Sequence, residues 1–159
     1  MISLSKYNDI PVLGFAAFSG TGKTTLLEKL IPELNQVNIR VAMVKHTHHE
    51  KFDIDKPGKD SYRLRKAGAQ QMLVASSRLW ALMVQEPDPE KPEPVLSELL
   101  PHLDLDSVDL ILVEGFKHEN ISKIEIHRPL LEKHLLQTDE PNIITKATDQ
   151  THLENLYQK

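Results

Sequence analysis

The stretch AFSGTGKTT, residues 17–25, constrains the fold of this chain more than any other part of its sequence. It matches the phosphate-binding loop G-x-x-x-x-G-K-[ST] except at its first position, where Ala17 replaces glycine. Such a loop holds phosphates only between a buried strand and a helix, because backbone N–H groups and the helix N-terminus act together. Both flanks fit, since IPVLGFAAF (10–18) is a continuous apolar run and TLLEKLIPELNQ (25–36) is amphipathic. These flanks favour a nucleotide site over a simple Gly-Thr-Gly turn.

The residues of this loop have separate predicted roles. Gly20 and Gly22 permit the tight bend, and Lys23 would reach the β- and γ-phosphates, where it would also assist catalysis. The Thr24 hydroxyl would be a ligand of Mg²⁺. Ala17 is acceptable if its position needs neither a positive φ nor a side-chain-free backbone. The residues predicted to bind nucleotide here are Ser19, Gly20, Thr21, Gly22, Lys23, Thr24 and Thr25.

Strand-like and helix-like segments alternate along the rest of the chain. The predicted strands are 39–46, 108–114, 123–128 and 142–147, and 70–76 with 78–85 should form a hairpin. Trp80 has apolar neighbours and is expected in the hydrophobic core. The predicted helices are 60–69, capped by Asp60 or Ser61 and ended by Gly68, then 95–103 and 149–157. Pro32 should kink or shorten the helix after the loop. The pattern predicts a single domain, residues 1–159, with a three-layer α/β P-loop NTPase fold and a mainly parallel sheet extended by an antiparallel hairpin.

Composition excludes several classes of protein. Acidic residues outnumber basic ones, 23 against 19, for a net charge of -4, which argues against nucleic-acid binding. The absence of cysteine excludes disulfides, thiolate metal sites and cysteine nucleophiles. No signal-peptide pattern or membrane-length apolar run occurs, so we expect a cytoplasmic protein without membrane contact.

A carboxylate at the end of a second buried strand supplies the expected partner of the loop. Glu114 follows four apolar residues in LILVEG, which places it at the carboxyl edge of a parallel sheet, where ligands of such folds bind. It is predicted to hold Mg²⁺ with Thr24; the alternative is a solvent-facing glutamate at a strand end. Phe116, Lys117 and His118 should lie at the same edge.

The polar segment KHTHHEKFDIDKPGKDS, residues 45–61, begins at that edge as well. Asp55 or Asp53 is the candidate for a catalytic water-positioning residue or a water-mediated magnesium ligand. Lys56 and Lys59, around the Pro57-Gly58 turn, are candidates for binding an anionic ligand. Two readings of His46, His48 and His49 stay open: contacts to backbone or phosphate groups, and a transition-metal site in which His46-x-His48 places two imidazoles on one side of a strand.

Two further features are less informative in the sequence alone. Four basic side chains are expected at the surface, and no pattern selects one of them for an anion: Arg65, Lys66, Arg78 and Arg128. TKATD (145–149) is close to the guanine-reading [NT]-K-x-D motif, but Asp149 stands one residue too late, so base identity does not follow from it.

Three segments together resemble the molybdopterin-guanine dinucleotide biosynthesis adaptor proteins, the MobB family. They are FSGTGKTTLLEKLIPEL, KHTHHEKFDIDKPGKDSYRLRKAGAQQMLVAS and DLILVEGFKHENISKIEIHR, and the resemblance runs from about residue 12 to residue 128. It implies a GTP-binding protein that needs Mg²⁺, hydrolyses GTP slowly and works as a homodimer. It further implies that the protein assists the molybdenum cofactor guanylyltransferase and handles molybdopterin or its guanine dinucleotide. By position, residues 20–25 would hold phosphates, Thr24 and Glu114 would hold Mg²⁺, and 45–61 would be a switch or an anion-binding surface.

Two other functions use the same loop. A nickel-type metal-insertion GTPase would bind its metal through His46, His48 and His49. A small P-loop kinase would add an arginine-bearing lid, and the only candidate insertion, EPDPEKPEP (86–94), is acidic and therefore unsuited to clamp phosphates.

Overall fold

The structure is a computed structural model that describes residues 4–47, 54–85, 93–136 and 140–149. The chain divides into two compact units, Met1–His46 with Val95–Lys159, and Thr47–Pro94. The strands are β1 (Ser5–Tyr7), β2 (Ile10–Ala16), β3 (Val41–Lys45), β4 (Gln71–Ala75), β5 (Trp80–Val84), β6 (Leu110–Glu114), β7 (Lys123–His127) and β8 (Ile143–Thr148). The α-helices are α1 (Lys23–Gln36), α2 (Asp60–Lys66) and α3 (Leu96–Leu99), and 3-10 turns occur at Leu100–His102, Leu105–Ser107 and Pro129–Leu131.

The first unit contains a six-stranded sheet with the order β3-β6-β2-β7-β8, and β1 pairs with β2. Strands β3, β6, β2, β7 and β8 are parallel, and only β1 is antiparallel to its neighbour. The carboxyl ends of β2, β6 and β7 therefore meet at one edge, with β2 between the other two. The α/β fold and its mainly parallel sheet confirm the prediction.

Interior strand β6 is buried on both faces, which explains its continuous apolar sequence. Ile111 and Val113 pack with Val12, Leu96 and Leu100 on one face. Leu112 points to the other face, where it packs with helix α1 through a cluster completed by Phe15, Leu27 and Ile126. Because side chains alternate along a strand, Glu114 shares the α1 face with Leu112.

Three elements of this unit differ from their predicted form. Helix α1 contains Pro32 and continues to Gln36, so the proline does not shorten it. The helix expected over 95–103 is an α-helix only from Leu96 to Leu99, and a 3-10 turn follows. Strand β1 was not predicted; Asn8 and Asp9, both at positive φ, form the tight turn into β2. The helix predicted for 149–157 lies outside the described residues, apart from Asp149.

The second unit contains helix α2 and the predicted hairpin, β4 paired antiparallel with β5. Gly68, at φ +116, ends α2 as predicted, and its N–H and that of Ala69 bond the carbonyls of Arg65 and Leu64 in a Schellman motif. The predicted cap at Asp60 or Ser61 is wrong, because the N-cap is Lys59 and makes no side-chain hydrogen bond. The placement of Trp80 in the core is also wrong, since 62% of this residue is exposed.

No helix in the four described ranges is long and apolar enough to cross a bilayer.

Candidate functional site

The loop between β2 and α1 has the backbone that its sequence predicts. Gly20 and Gly22 adopt positive φ values of 81° and 94°, and Gly22 is the residue from which α1 begins. Thr21 is buried, and its hydroxyl donates a 2.8 Å hydrogen bond to the carbonyl of Phe18, which closes the bend from inside. No side chain caps α1 and no acidic residue lies in its first turn, so its N-terminal N–H groups are not neutralised locally.

Ala17 fits the start of this loop. It is not among the described residues with positive φ, and it packs against the hydrophobic cluster that contains Leu27. The alanine methyl therefore occupies space beneath the loop, and the missing first glycine does not distort the bend.

The hydroxyl-bearing residues of the loop differ in exposure. Ser19, Thr24 and Thr25 are exposed, whereas Thr21 is buried. Thr24 and Thr25 belong to the first turn of α1, next to Lys23. Their side chains are therefore accessible to a ligand at the helix N-terminus, whereas Thr21 stabilises the loop itself.

Glu114 lies between two lysine ammonium groups. Its Oε1 is 3.7 Å from Lys23 Nζ and its Oε2 is 3.2 Å from Lys45 Nζ, and only 11% of its side chain is exposed. The register explains both contacts, because Lys45 pairs with Glu114 across β3 and β6, while Lys23 begins the helix that covers this face. The structure thus excludes a solvent-facing Glu114 and brings this acid to the loop.

Gly115 allows β6 and β3 to end in close contact. It has a φ of +93°, and an added Cβ would lie 3.0 Å from both the Cβ and the carbonyl oxygen of His46. The His46 N–H donates a 2.8 Å hydrogen bond to the Glu114 carbonyl, and its ring lies 5.3 Å from that of Phe116. Phe116 is itself buried in the hydrophobic core, whereas Lys117 and His118 are exposed.

A buried lysine fixes the segment that follows. Lys123 Nζ donates to the carbonyls of Lys117 at 2.9 Å and Glu119 at 2.7 Å. Burial lowers the pKa of this ammonium group, and the two carbonyls compensate the buried charge. Lys123 therefore ties β7 to the turn that leaves Glu114.

The polar segment after β3 is described only in part. His48, His49 and Asp53 lie outside the described residues, while His46 belongs to the unit that contains the loop. In the second unit, Ser61 Oγ donates a 2.9 Å hydrogen bond to Asp55 Oδ1, and Arg65 Nε lies 4.0 Å from Asp55 Oδ2.

Lys56 and Lys59 of this segment are exposed beside a turn. The turn contains Pro57 and Gly58, and the Lys59 N–H donates to the Lys56 carbonyl at 3.2 Å. No group of three or more metal-ligating side chains occurs within the parts of the chain that the structure describes.

Two basic residues near the loop were not assigned a role from the sequence. Lys45 contacts Glu114, and Arg128 follows β7, the strand that pairs with β2 on the side away from β6. Arg128 Nη2 lies 3.1 Å from the position that a Cβ on Gly22 would occupy. Lys45 ends β3, which pairs with β6, and Arg128 follows β7, which pairs with β2. Their position at the carboxyl ends of these strands is the sequence signal that could have placed them near the loop.

The fold and the loop together define a class: an α/β protein of the P-loop nucleotide-binding type. The family model described as "MobB: Molybdopterin guanine dinucleotide synthesis protein B" matches residues 12–149. The chain therefore belongs to the MobB family, as its resemblance predicted.

Similar proteins and structures agree with this assignment. The molybdopterin-guanine dinucleotide biosynthesis adapter protein of Escherichia coli (strain K12) is 54% identical over 136 residues, covering 80% of this chain and 76% of the relative. The adapter protein of Haemophilus influenzae is 48% identical, covering 84% of this chain and 72% of the relative. A crystal structure of molybdopterin-guanine biosynthesis protein B has the same fold, with a TM-score of 0.63, 24% identity, and coverage of 87% of this chain and 82% of that one. A MobB homologue from Bacillus stearothermophilus gives a TM-score of 0.51 at 26% identity, covering 72% of this chain and 61% of the other.

Proposed function

We propose that this chain binds Mg²⁺·GTP through residues 19–25 and acts as an adaptor in the formation of molybdopterin guanine dinucleotide. Membership of the family and the names of the relatives support the pathway. The observation that carries the nucleotide site is the position of Glu114, a largely buried carboxylate beside Lys23 at the start of α1.

The side chains around the loop suit a magnesium–phosphate ligand. Lys23 pairs with Glu114 at 3.7 Å, a distance long enough for the ammonium group to turn toward a phosphate oxygen without large movement. Glu114 and the exposed Thr24 hydroxyl would then hold Mg²⁺, since oxygen ligands suit this ion. Lys45, 3.2 Å from the second carboxylate oxygen, would keep the Glu114 side chain oriented.

The segment 45–61 contributes further proposed roles. Asp55 would orient a water molecule for slow GTP hydrolysis or bind Mg²⁺ through water, and its bond from Ser61 would fix its rotamer. Lys56 and Lys59 would bind an anionic ligand, for which a pterin phosphate or a nucleotide is the chemical candidate. His46, His48 and His49 would contact backbone or phosphate groups.

We further propose that the protein is cytoplasmic and works as a homodimer that engages the molybdenum cofactor guanylyltransferase. The hairpin supports self-association, because one of its faces is apolar and exposed. Alternation places four side chains on that face: Leu73, Trp80, Leu82 and Val84, which are 60%, 62%, 42% and 54% exposed. An exposed apolar patch on a small protein commonly marks an interface.

The nucleotide site is tested by calorimetric titration of GTP with and without Mg²⁺. Lys23→Ala should abolish measurable Mg²⁺·GTP binding, while Lys29→Ala, at an exposed position of the same helix, should bind as the wild type does. Micromolar binding by a folded Lys23→Ala variant would contradict the site. Competition by ATP tests the base preference, and we expect GTP to be preferred.

The magnesium role of Glu114 needs a separate measurement. Glu114→Gln removes the charge but keeps the shape of the side chain, so the Mg²⁺ concentration needed for half-maximal GTP binding should rise. Binding in EDTA should be unchanged or slightly stronger, because a negative charge near the phosphates is lost. An unchanged magnesium titration would exclude Glu114 as a ligand.

The adaptor role is tested by adding the chain to purified guanylyltransferase, molybdopterin and GTP. We expect faster formation of the guanine dinucleotide and co-elution of the two proteins, both lost with Lys23→Ala. No effect of the wild-type chain, with GTP binding intact, would reject the adaptor role and leave the nucleotide site standing.

A further inference from the structure

Arg128 lies against the phosphate-binding loop from the side opposite to Glu114. It directly follows β7, which pairs with β2 on one edge while β6 pairs on the other. Its Nη2 is 3.1 Å from the position of a Cβ on Gly22, so the guanidinium group lies beside the backbone from which α1 begins. About two fifths of the side chain remains accessible, 41% by relative surface.

Asp149 forms an ion pair with this guanidinium group. Its Oδ2 lies 3.0 Å from Arg128 Nε, and Asp149 follows β8 just as Arg128 follows β7. The register pairs His127 with Thr148, so the two charged residues leave adjacent parallel strands at the same level. Arg128 Nε therefore lies next to Asp149, and Nη2 lies beside the loop.

The position is electrostatically unfavourable for an arginine unless an anion binds there. The N-terminus of α1 carries a partial positive charge, its first turn has no acidic residue, and Lys23 and Lys45 share the single negative charge of Glu114. A second cation beside Gly22 raises the local positive potential. A half-exposed ion pair with Asp149 contributes too little to explain that placement. A guanidinium group next to a phosphate-binding loop is, by contrast, suited to donate two parallel hydrogen bonds to phosphate oxygens.

We propose that Arg128 is a nucleotide-binding residue that contacts the phosphate chain on the β7 side of the loop, and that Asp149 is the positioning residue that orients it. The inference rests on the proposed function, because it takes the nucleotide at residues 19–25 as the ligand. In this arrangement Mg²⁺ held by Glu114 would neutralise the phosphates on the β6 side, and Arg128 would neutralise them on the other. Asp149 thereby has a role other than the base reading suggested by TKATD.

Titration calorimetry with GTP, GDP and guanosine, in the presence of Mg²⁺, tests the role of Arg128. Arg128→Ala should weaken the binding of GTP and GDP by about 10- to 100-fold, which is the effect of losing a charged hydrogen bond. Any binding of guanosine should be unchanged, because guanosine has no phosphate. Arg128→Lys should recover part of the loss. Arg40→Ala is the matched control, because Arg40 is also paired with an aspartate but precedes β3 at the opposite edge of the sheet. Wild-type Kd values for Arg128→Ala with both nucleotides would overturn the proposal.

Asp149→Asn separates positioning from base reading. It should weaken GTP binding by about two- to five-fold, as expected for a half-exposed ion pair. In the Arg128→Ala background it should cause no further loss of GTP affinity. A gain of xanthosine triphosphate binding by Asp149→Asn would instead assign Asp149 to the base and overturn its positioning role. Lys23→Ala separates failure of the proposed function from failure of the role of Arg128. If Lys23→Ala binds GTP as the wild type does, the proposed function fails. If Lys23→Ala loses GTP affinity and Arg128→Ala does not, only the role of Arg128 fails.

Discussion

At the scale of single residues, the charges at the carboxyl edge of the sheet determine whether Glu114 can lie beside the phosphate-binding loop. Glu114 is nearly buried, and a buried carboxylate is costly unless cations or donors compensate it. Lys23 and Lys45 provide that compensation. Because each lysine comes from a different element, the same three charged groups also tie α1, β3 and β6 together at this edge.

Replacing Gly115 by alanine should destabilise the protein. The substitution forces a side chain into the left-handed region at φ +93° and places a Cβ 3.0 Å from the His46 carbonyl. We expect the free energy of unfolding in urea to fall by about 2–4 kcal/mol, from backbone strain together with crowding. Gly20→Ala, at φ +81° with no atom within 4 Å, is the control in the same unit and should lose only about 1–2 kcal/mol. Equal losses of stability for the two variants would show that crowding between the added methyl group and His46 costs nothing.

The ion pair between Arg40 and Asp109 should give the protein a pH-dependent stability. Arg40 donates from Nε to Oδ2 and from Nη2 to Oδ1, both at 2.9 Å, and these bonds lower the pKa of Asp109 from 3.8 to about 2. A depressed carboxylate pKa stabilises the fold above the unfolded value, and this contribution is lost as the pH falls through the folded value. The Tm difference between wild type and Asp109→Asn should therefore be full above about pH 4 and shrink toward pH 2. In the Arg40→Ala background, the Tm difference caused by Asp109→Asn should depend much less on pH. A Tm difference between wild type and Asp109→Asn that stays constant from about pH 4 to about pH 2 would contradict the role of the pair.

At the scale of elements, the turn between β4 and β5 contains no glycine. The Ser76 side chain makes hydrogen bonds that hold the turn backbone. Ser76 Oγ accepts from the N–H groups of Arg78 at 3.3 Å and Leu79 at 3.1 Å, and it donates to the Leu79 carbonyl at 2.9 Å. The Ser76 N–H also donates to that carbonyl at 2.8 Å. A polar turn of this type is difficult to recognise from the sequence, since serine forms side-chain turns more weakly than Asn or Asp, and arginine is not a typical turn residue.

Ser76→Ala should loosen this turn locally. Loss of the hydroxyl leaves two N–H groups without their acceptor, and we expect faster amide hydrogen exchange at Leu79, corresponding to about 1 kcal/mol of local stability. Strand β6 should keep its protection, because it belongs to the other compact unit. Ser77→Ala, at the neighbouring exposed position, is the control. Unchanged exchange at Leu79 would show that the backbone alone holds the turn.

At the scale of the whole molecule, the sequence predicts those features that depend on local rules. The phosphate loop was predictable because its glycines, lysine and flanking elements form one continuous segment, and Glu114 because parallel strands end at a common edge. The proximity of Arg128 to Gly22 and Asp149 depends instead on the register of β7 and β8, which no local pattern specifies. Trp80 shows the complementary error: its apolar neighbours predicted burial, but a two-stranded sheet has no second layer of its own to cover that face.

The exposed hairpin face leads to a final prediction, about oligomeric state. If a second copy covers the face, the wild-type protein should sediment at twice the chain mass of 18.1 kDa, and Leu82→Lys should shift it to the monomer, because a charge would be buried among apolar side chains. Val74→Lys is the matched control, since Val74 is equally exposed at 42% but points to the opposite face of the hairpin. Far-ultraviolet circular dichroism should be the same for all three proteins. A wild-type monomer at micromolar concentration, or a dimer that survives Leu82→Lys, would exclude this face as the dimer interface.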